Sequence, residues 1–579
     1  MKSRMELLGL GCLNYGMTIF LSILLIALTL HPWILYGFRG PGGDGVGLLE
    51  AAVAKYGFMK LYWSNLLLTG GVSLFIAPLL FVMPNPWFFW IGSSVLALAT
   101  LWGTWYIWQI YSHLFSFRSS AWIGSFIVAA HPFLHQMQYW WMSDTAYVVL
   151  LFIGLYQVSV YLVKGRLSNL LLASISLALS LLVRPQAMLA YFVCTAVTLL
   201  AGLSDLFAVR SLSLSRRVCD LILFCGLGFA LTLPVRYLNH IQHNTWQLTK
   251  YFSKNLTFYL QHEGYSRFNG PASERLWQMA RIIRFAPEWR PIRDNLDYLD
   301  HLELPSRGDF RPLSTLPPAQ RLGDWKKAIS DNSEFSWLYR SAYRNAIGIT
   351  TDEQHSNMDL NGPNVIYFVF DDNWKKADDF GVQVWSEAVH KHPVRYLKWG
   401  LFWSKGYFTW LSENPNEWHA HFAAGYMQNK LAEREVSSIR VHDKVVLANH
   451  RGGLAFIVPG LVDKYSAFRL FYARSMTYVR KITFLMLPLL IFVIYKKGPP
   501  QLFGFTVLAV FSHLLSCLLL AMILGFHHRY SAPFELFTIF YVVCWYDIGC
   551  RWLDDLKRNS PKHFRDVLNV PSEEVSVRV

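Results

Sequence analysis

The stretch MTIFLSILLIALTLHPWILY, Met17 to Tyr36, indicates a membrane protein because its twenty residues include no acid, lysine or arginine. About 20 apolar residues in a helix cross a hydrocarbon core of roughly 30 Å. No small-residue cleavage signal stands at the end of the run, so an uncleaved first membrane helix is expected rather than a signal peptide.

The composition of the whole chain agrees with this first run. Of its 579 residues 53% are hydrophobic and only 16% are charged, which is typical of an integral membrane protein. The predicted fold class is mainly α: a polytopic transmembrane bundle of about ten spans with a large mixed, mainly helical extracytoplasmic domain. The other nine apolar runs lie at 87–110, 121–134, 145–163, 169–183, 187–204, 218–240, 476–494, 501–525 and 531–548.

One further apolar segment does not fit the alternation of spans. The sequence WSNLLLTGGVSLFIAPLLFVM, 63–83, is long enough to cross, but counting it as a span would put Asp44 and residues 241–475 on opposite faces of the membrane or expel a basic loop. Its Gly70-Gly71 pair and Pro78 favour a re-entrant or interfacial segment.

The distribution of charge predicts the orientation. Residues 241–475 hold 29 Lys/Arg and 25 Asp/Glu, so most of the net charge of +15 lies in the membrane regions and their short loops. Cytoplasmic loops carry such excess, and no nucleic-acid partner is needed to explain it. The basic groups are Lys2 and Arg4, Lys164 and Arg166, Arg210, Arg216 and Arg217, Lys496 and Lys497, and the 551–565 tail.

These patterns divide the chain into four parts. We expect an N-terminal transmembrane catalytic module at 1–240 with a first outer loop at 37–62, an extracytoplasmic domain at 241–475, closing transmembrane helices at 476–548 and a cytoplasmic tail at 549–579. None of the seven cysteines lies in 241–475, so that domain has no internal disulfide.

Four groups of polar residues are expected at the outer surface. Asp44 lies in RGPGGDGVGLLEAAVAKYG (39–57), Asp144 ends the aromatic loop HPFLHQMQYWWMSDT (131–145), Arg184 lies in LVRPQ, and Arg529 lies in FHHRYSAP. Each has a structural alternative: a turn acid for Asp44, a helix cap for Asp144, an interfacial aromatic belt for 139–141, and an arginine that snorkels to headgroups for Arg529.

The order of these groups, with the inner loop VKGR and the final RY..P, resembles the GT-C superfamily of membrane glycosyltransferases. The resemblance is to the branch of protein O-mannosyltransferases and lipid A aminoarabinose transferases. It covers the layout of 1–240 and 476–548, and SEAVHKHPVRYLKWGLFWSKGYFTW (386–410) is similar to an amphipathic helix of that branch. Many relatives carry two neighbouring acids in the first loop. This chain reads GDGVGLLE there, so the second acid is missing unless Glu50 replaces it.

The resemblance implies an enzyme that moves a sugar from a polyprenyl-phosphate donor to an acceptor hydroxyl, with inversion. It implies that Asp44 is the catalytic base, with Asp144 in a secondary catalytic role. The leaving phosphate would be held by arginine because its planar fork binds phosphate bidentately. Arg529 is the first choice, followed by His528, Arg184 and Arg236.

Further contacts of the site are expected from aromatic and acidic residues. Acceptor or sugar contacts are assigned to Glu50, Tyr139, Trp140 and Trp418, the last in the polar-aromatic cluster SENPNEWHAH (412–421). No cofactor is certain, and a divalent cation held by Asp44 and Asp144 is left open. The expected partners are the lipid-linked donor, a glycan, lipid or protein acceptor, and the bilayer.

Two other functions remain open on sequence alone. A transporter or flippase of lipid-linked sugars would show internal repeats and charged or broken helices at mid-membrane, and a catalytically inactive GT-C-like scaffold is consistent with the missing second acid. The expected location is a bacterial inner membrane or eukaryotic endoplasmic reticulum, with the site on the periplasmic or lumenal side.

Overall fold

A computed structural model gives the fold of the protein for part of the chain. It describes residues 2–38, 48–49, 52, 71–82, 87–139, 141, 143–203, 207–243, 246–248, 270–272, 374–409, 438–441, 444–447, 454, 457–458, 460–524 and 534–559. In these ranges the protein is mainly α-helical, as predicted.

The N-terminal part is a series of helices that coincide with most of the predicted apolar runs, but the first run, 17–36, is divided at Leu30 between two helices. Their bounds are α1 Lys2–Thr29, α2 His31–Tyr36, α3 Ser73–Ile76, α4 Leu79–Val82, α5 Trp87–Leu114, α6 Arg118–Ala129, α7 Pro132–Tyr139, α8 Asp144–Lys164, α9 Leu167–Val183, α10 Met188–Ala201 and α11 Leu214–His243. The predicted run 121–134 is therefore divided, because α6 ends at Ala129 and α7 begins at Pro132, where a proline is favoured in a first turn.

The C-terminal part contains the remaining helices and one hairpin. Their bounds are α12 Trp374–Lys391, α13 Pro393–Thr409, β1 Ser438–Val441, β2 Lys444–Leu447, α14 Leu461–Leu485, α15 Leu487–Lys497, α16 Pro500–Leu524 and α17 Glu535–Asn559. The strands pair antiparallel, with Ser438 opposite Leu447. Helices α12 and α13 and this hairpin are the regular elements of 249–460 that the structure describes.

The long helices run between two ends of a bundle. At the His131 end, His131 contacts Glu535 and Asp144 contacts Arg184. At the Asp547 end, Asp547 Oδ1 accepts hydrogen bonds from the backbone N–H groups of Ser116 and Phe117 and from Ser120 Oγ. The short basic loops at 164–166, 210–217 and 496–497, which are predicted to be cytoplasmic, belong to the Asp547 end, and Arg118 lies there too.

Four of the described helices are long and apolar enough to cross a membrane: those containing 144–164, 214–241, 500–522 and 535–556. The pair α14 and α15 makes a fifth if its bent portion, 478–497, is one span. Shorter apolar helices occupy 16–29, 167–183 and 185–201. The protein is therefore a polytopic helical membrane protein, and the full number of ten spans stays a prediction.

The described part of the predicted re-entrant segment, 71–82, is not one long helix. It forms the two four-residue helices α3 and α4, separated by Ala77 and Pro78. A proline lacks the N–H that would continue the helical hydrogen bonds, so the chain breaks there. The segment packs at the His131 end, where Gly71 lies against Ser143 and Ile76 lies beside Gly92.

Local sequence signals explain the ends of two helices that carry the site. Helix α8 begins with an acid, Asp144, and ends with Lys164, as the helix dipole favours. Gly165 then adopts φ 63° and its N–H bonds to Tyr161 O, a common helix terminus. Helix α14 gives way to α15 with a bend of 56° close to Pro488.

Candidate functional site

The first feature of the His131 end is an ion pair between the ends of neighbouring helices. Arg184 Nη2 lies 2.5 Å from Asp144 Oδ1, and the Asp144 side chain is fully buried while that of Arg184 is 13% exposed. Asp144 opens α8, and Arg184 directly follows α9, which packs against α8 along its length. Two residues that the sequence assigned to separate catalytic and phosphate-binding roles are therefore direct partners.

The second feature is a buried carboxylate held from two sides. Glu535, the first residue of α17, places Oε2 2.5 Å from His131 Nε2 and pairs through Oε1 with Arg480 Nη2. All three side chains are at most 4% exposed. Because burying a charge without a partner is costly, Glu535 and Arg480 stabilise each other in the apolar surroundings.

The hydrogen bonds of His131 define its protonation. The backbone N–H groups of Phe133 and Leu134 both donate to His131 Nδ1, at 3.2 Å each. Nδ1 is therefore an acceptor, and the ring proton is on Nε2, which donates to Glu535. The ring thus also caps the first turn of α7, and neither nitrogen is available to take a proton from a substrate.

A single face of α14 forms one wall of this end. Tyr465, Arg469, Tyr472 and Arg480 are spaced by four, three and eight residues, which places them on one side of a helix. Tyr465 donates its hydroxyl hydrogen to His31 Nε2 at 2.6 Å, because His31 Nδ1 is already bonded to the carbonyl of Leu28. Arg469 lies over the rings of Phe133 and Tyr465, and the Tyr472 ring is 5.0 Å from that of His131.

Burial controls the charge of the ionisable groups beside this wall. His135 is 1% exposed, and burial lowers its pKa to about 3, with a smaller contribution from His31. Its Nε2 donates to the carbonyl of Val128 at 2.9 Å, which leaves Nδ1 as an unprotonated acceptor. Burial also lowers the pKa of Arg469, although Tyr465 acts in the opposite direction. Neutral histidine side chains therefore lie beside the cationic arginines of this wall.

Trp141 holds the loop that leads to Asp144. It is fully buried and has a positive φ of 62°, a conformation that non-glycine residues rarely adopt. Its ring fills the space over Gly92 and reaches the vicinity of Ile76. Gly71, also at positive φ, lies against Ser143 and Leu48. Residues 71–76 and α5 thus fix the residues just before Asp144.

The flanks of the Asp44 loop lie in the same region. Tyr36 contacts Tyr139 and Tyr465, and Phe38 stacks on Trp90. On the far side of the loop, Leu48 lies beside Gly71 and thus near Ser143.

Of the other predicted site residues, the structure describes Tyr139 and Arg236. Tyr139 is 1% exposed and packs between Trp33 and Tyr36, so its ring face is not open to a sugar in this structure. Arg236 bonds to Thr232 and to the carbonyl of Trp246 and lies over Phe229. Asp44, Glu50, Trp140, Trp418, His528 and Arg529 lie outside the described residues.

Sequence reasoning missed the residues of α14 and their partners Glu535, His131 and His31. The spacing of Tyr465, Arg469, Tyr472 and Arg480 could have indicated a helix with one polar-aromatic face. The domain boundary expected between 475 and 476 falls inside this helix.

The described residues include only one of the two expected ligands of a divalent cation, Asp144. They contain no group of three or more His, Cys, Asp or Glu side chains that could hold a metal ion. The carboxylate of Asp144, one of the two expected ligands, already faces the Arg184 guanidinium, and a cation added there would be repelled by it. Asp44, the other expected ligand, lies outside the described residues, so a divalent cation stays a prediction.

Comparisons with known proteins found no sequence match and a weak structural similarity. No family model matches the sequence, and no curated protein matches it. A solved structure of the archaeal oligosaccharyltransferase AglB from Archaeoglobus fulgidus, in complex with an inhibitory peptide and a dolichol-phosphate, is similar with a TM-score of 0.41 and 10% sequence identity. The match covers 95% of this chain and 53% of that one, so the chain spans about half the length of AglB. A similarity of this size does not assign a fold family.

Proposed function

We propose that this protein is an integral membrane glycosyltransferase that moves a sugar from a polyprenyl-phosphate donor to an acceptor hydroxyl, with inversion. The site lies at the His131 end, on the periplasmic or lumenal face. The observation that carries the proposal is the collection of Asp144, Arg184, Arg469, Arg480 and Glu535 at one end of an apolar bundle, opposite the short basic loops. Ionisable side chains buried in a membrane bundle indicate a functional site.

The Asp44 loop supports this location. Its described flanks, Tyr36 to Phe38 and Leu48, lie beside Tyr139 and Ser143, and Leu48 follows Asp44 by only four residues in the sequence. The proposal places Asp44 next to the Asp144–Arg184 pair as the base that removes the acceptor proton. Asp144 then acts through Arg184, whose orientation it fixes.

The leaving phosphate requires fixed positive charge in a poorly hydrated site. Arg529 remains the first candidate, and it precedes Glu535, whose carboxylate contacts His131 and Arg480, by six residues in the sequence. Arg184, partly exposed beside Asp144, is the described residue best placed to share this role. Arg236 is a weaker candidate because its guanidinium already bonds to Thr232 and the carbonyl of Trp246.

The test uses purified protein in lipid nanodiscs with a radiolabelled polyprenyl-phosphate sugar, and measures sugar release to water and transfer to hydroxyl acceptors. Asp44→Asn should lower turnover by about a hundredfold or more while donor binding survives. Asp379→Asn, on the exposed surface of α12, is the matched control and should be fully active. Near-normal turnover of Asp44→Asn would exclude the base role.

The phosphate role is tested separately by Arg529→Ala and Arg529→Lys. Loss of a charge-stabilising donor typically costs about 2–4 kcal/mol of transition-state stabilisation, and lysine should recover only part because it lacks the planar fork. Equal turnover of all three proteins would move the phosphate site to Arg184.

A second candidate function is the transport of lipid-linked sugars. The 56° bend between α14 and α15, with Arg480 buried close to it, favours this candidate because transporters use broken helices near their substrate sites. Translocation of a fluorescent lipid-linked sugar in proteoliposomes, unaffected by Asp44→Asn and without sugar release, would select it over the transferase.

A further inference from the structure

Helix α13 has one face packed on the bundle and an opposite face that is exposed. Tyr396, Trp399 and Tyr407 are at most 7% exposed, whereas Val394, Leu397 and Leu401 are 64%, 49% and 50% exposed. The exposed residues are spaced by three and four, so they form one apolar stripe along the helix. An exposed stripe of this kind marks a surface that binds something apolar.

The packed face fixes α13 at the edge of a membrane span. Gly400 lies directly against Met522, and Tyr396 donates a hydrogen bond to the carbonyl of Met522 at 2.9 Å. The Trp385 indole N–H donates to the same tyrosine hydroxyl at 3.1 Å. Met522 is the last residue of the candidate span 500–522. Helix α13 is thus held where the hydrocarbon core of a bilayer ends.

The charge of α13 complements an anionic surface. Its sequence, PVRYLKWGLFWSKGYFT, contains Arg395, Lys398 and Lys405 and no acid, and α12 before it ends in His390 and Lys391. Lys398 is exposed and follows Val394 by four residues, so it lies beside the apolar stripe. A helix with an apolar stripe and flanking cations lies in the interface of a bilayer, with its cations at the headgroups.

We propose that the Val394–Leu397–Leu401 face of α13 is a lipid-binding surface that lies in the leaflet at the His131 end and selects anionic phospholipids through Lys398. This surface is independent of the proposed reaction. The surface binds the bilayer rather than a protein partner, because α13 adjoins the 500–522 span and contains no acidic residue.

The first experiment places a nitroxide at Leu397→Cys in the full chain, in a background without the native cysteines, in nanodiscs. Power saturation then compares access by oxygen, which concentrates in lipid, with access by a water-soluble nickel chelate. Phe511→Cys, exposed on α16 within the span, is the lipid control, and Asp379→Cys on α12 is the aqueous control. We expect Leu397 to resemble Phe511. Preferred access by nickel, or exclusion of both reagents by a protein partner or a second copy, would overturn the proposal.

The second experiment tests the preference for anionic lipid. A fluorophore on Leu397→Cys is quenched by a headgroup nitroxide carried either on phosphatidylglycerol or on phosphatidylcholine. Each surface cation enriches anionic lipid by roughly fivefold, so quenching by phosphatidylglycerol should be stronger and should fall several-fold in Lys398→Gln at low salt. Equal quenching by the two lipids would refute the charge selectivity.

Discussion

The imidazole of His131 donates its only ring proton to the carboxylate of Glu535, 2.5 Å away, while its other nitrogen caps the first turn of α7. This bond joins the loop after α6 to the start of α17, 404 residues later. The same carboxylate balances Arg480, so one side chain connects three parts of the bundle at the His131 end.

Glu535→Gln should therefore be strongly destabilising. Removing one partner of a buried ion pair leaves the other charge uncompensated, at a cost of about 3–5 kcal/mol. Asp379→Asn is the control, because Asp379 is exposed on α12; it should cost about 0.5 kcal/mol or less. Thermal unfolding in nanodiscs measures both, and equal losses would contradict the assigned charge balance.

Gly92→Ala should disturb the loop before Asp144. A Cβ at this position would overlap two ring carbon atoms of Trp141, which is fully buried and cannot withdraw. Overpacking of this kind costs about 1–3 kcal/mol. Gly226→Ala makes the same change in α11 with nothing within 4 Å, and should be neutral or slightly stabilising. If the two variants unfold alike, Trp141 is not held by Gly92.

Asp144→Asn and Arg184→Gln should be coupled. Each single variant leaves a buried or half-buried group without its charged partner, so the double variant should cost less than the sum of the two. A coupling energy of about 0.5–3 kcal/mol is expected for such a contact pair. A double-mutant cycle on the free energy of unfolding measures it, and strict additivity would show that the pair does not form in the membrane.

Stability should decrease as the pH falls below about 6.5, in part because of His135. Its folded pKa of about 3 is below the unfolded value of 6.5, so the unfolded chain binds a proton that the folded chain does not. His135 therefore contributes its full stability above pH 6.5, and this contribution is lost as the pH falls toward 3. His135→Gln keeps a donor for Val128 and should reduce the slope by up to about 1.4 kcal/mol per pH unit. Unfolding measured between pH 4 and 8 checks this, and an unchanged slope would contradict it.

The two ends of the bundle should be on opposite sides of the membrane. Cysteines introduced at Asp463, at the start of α14, and at Lys497, at the end of α15, provide a matched pair on consecutive helices. An impermeant thiol reagent added to right-side-out vesicles should label position 463 at once and position 497 only after permeabilisation. The reverse pattern would place the proposed site in the cytoplasm.

Hydropathy predicted the helices that are apolar on all sides. The predicted run 145–163 corresponds to α8, Asp144–Lys164, and the run 501–525 corresponds to α16, Pro500–Leu524. It failed for the first half of α14, because Lys464, Arg469 and Arg474 lower the hydropathy of a helix whose polar face is turned partly toward the bundle. Their positions along the chain indicated Asp144 and Arg184 as site residues. The contact between their side chains depends on how α8 and α9 pack, which no local pattern encodes.

Tyr465 and Arg480 lie at different distances from the bend near Met486, so a tilt of α14 about this bend displaces them by different amounts. At 1.5 Å per residue, Tyr465 is ~31 Å from this pivot and Arg480 is ~9 Å from it, so a tilt of the helix moves Tyr465 about 3.5 times as far as Arg480. A displacement of ~3 Å at Tyr465 thus becomes one of ~1 Å at Arg480, by the same ratio of arms. A tilt about this bend would therefore displace the Arg480–Glu535 ion pair much less than the Tyr465–His31 hydrogen bond.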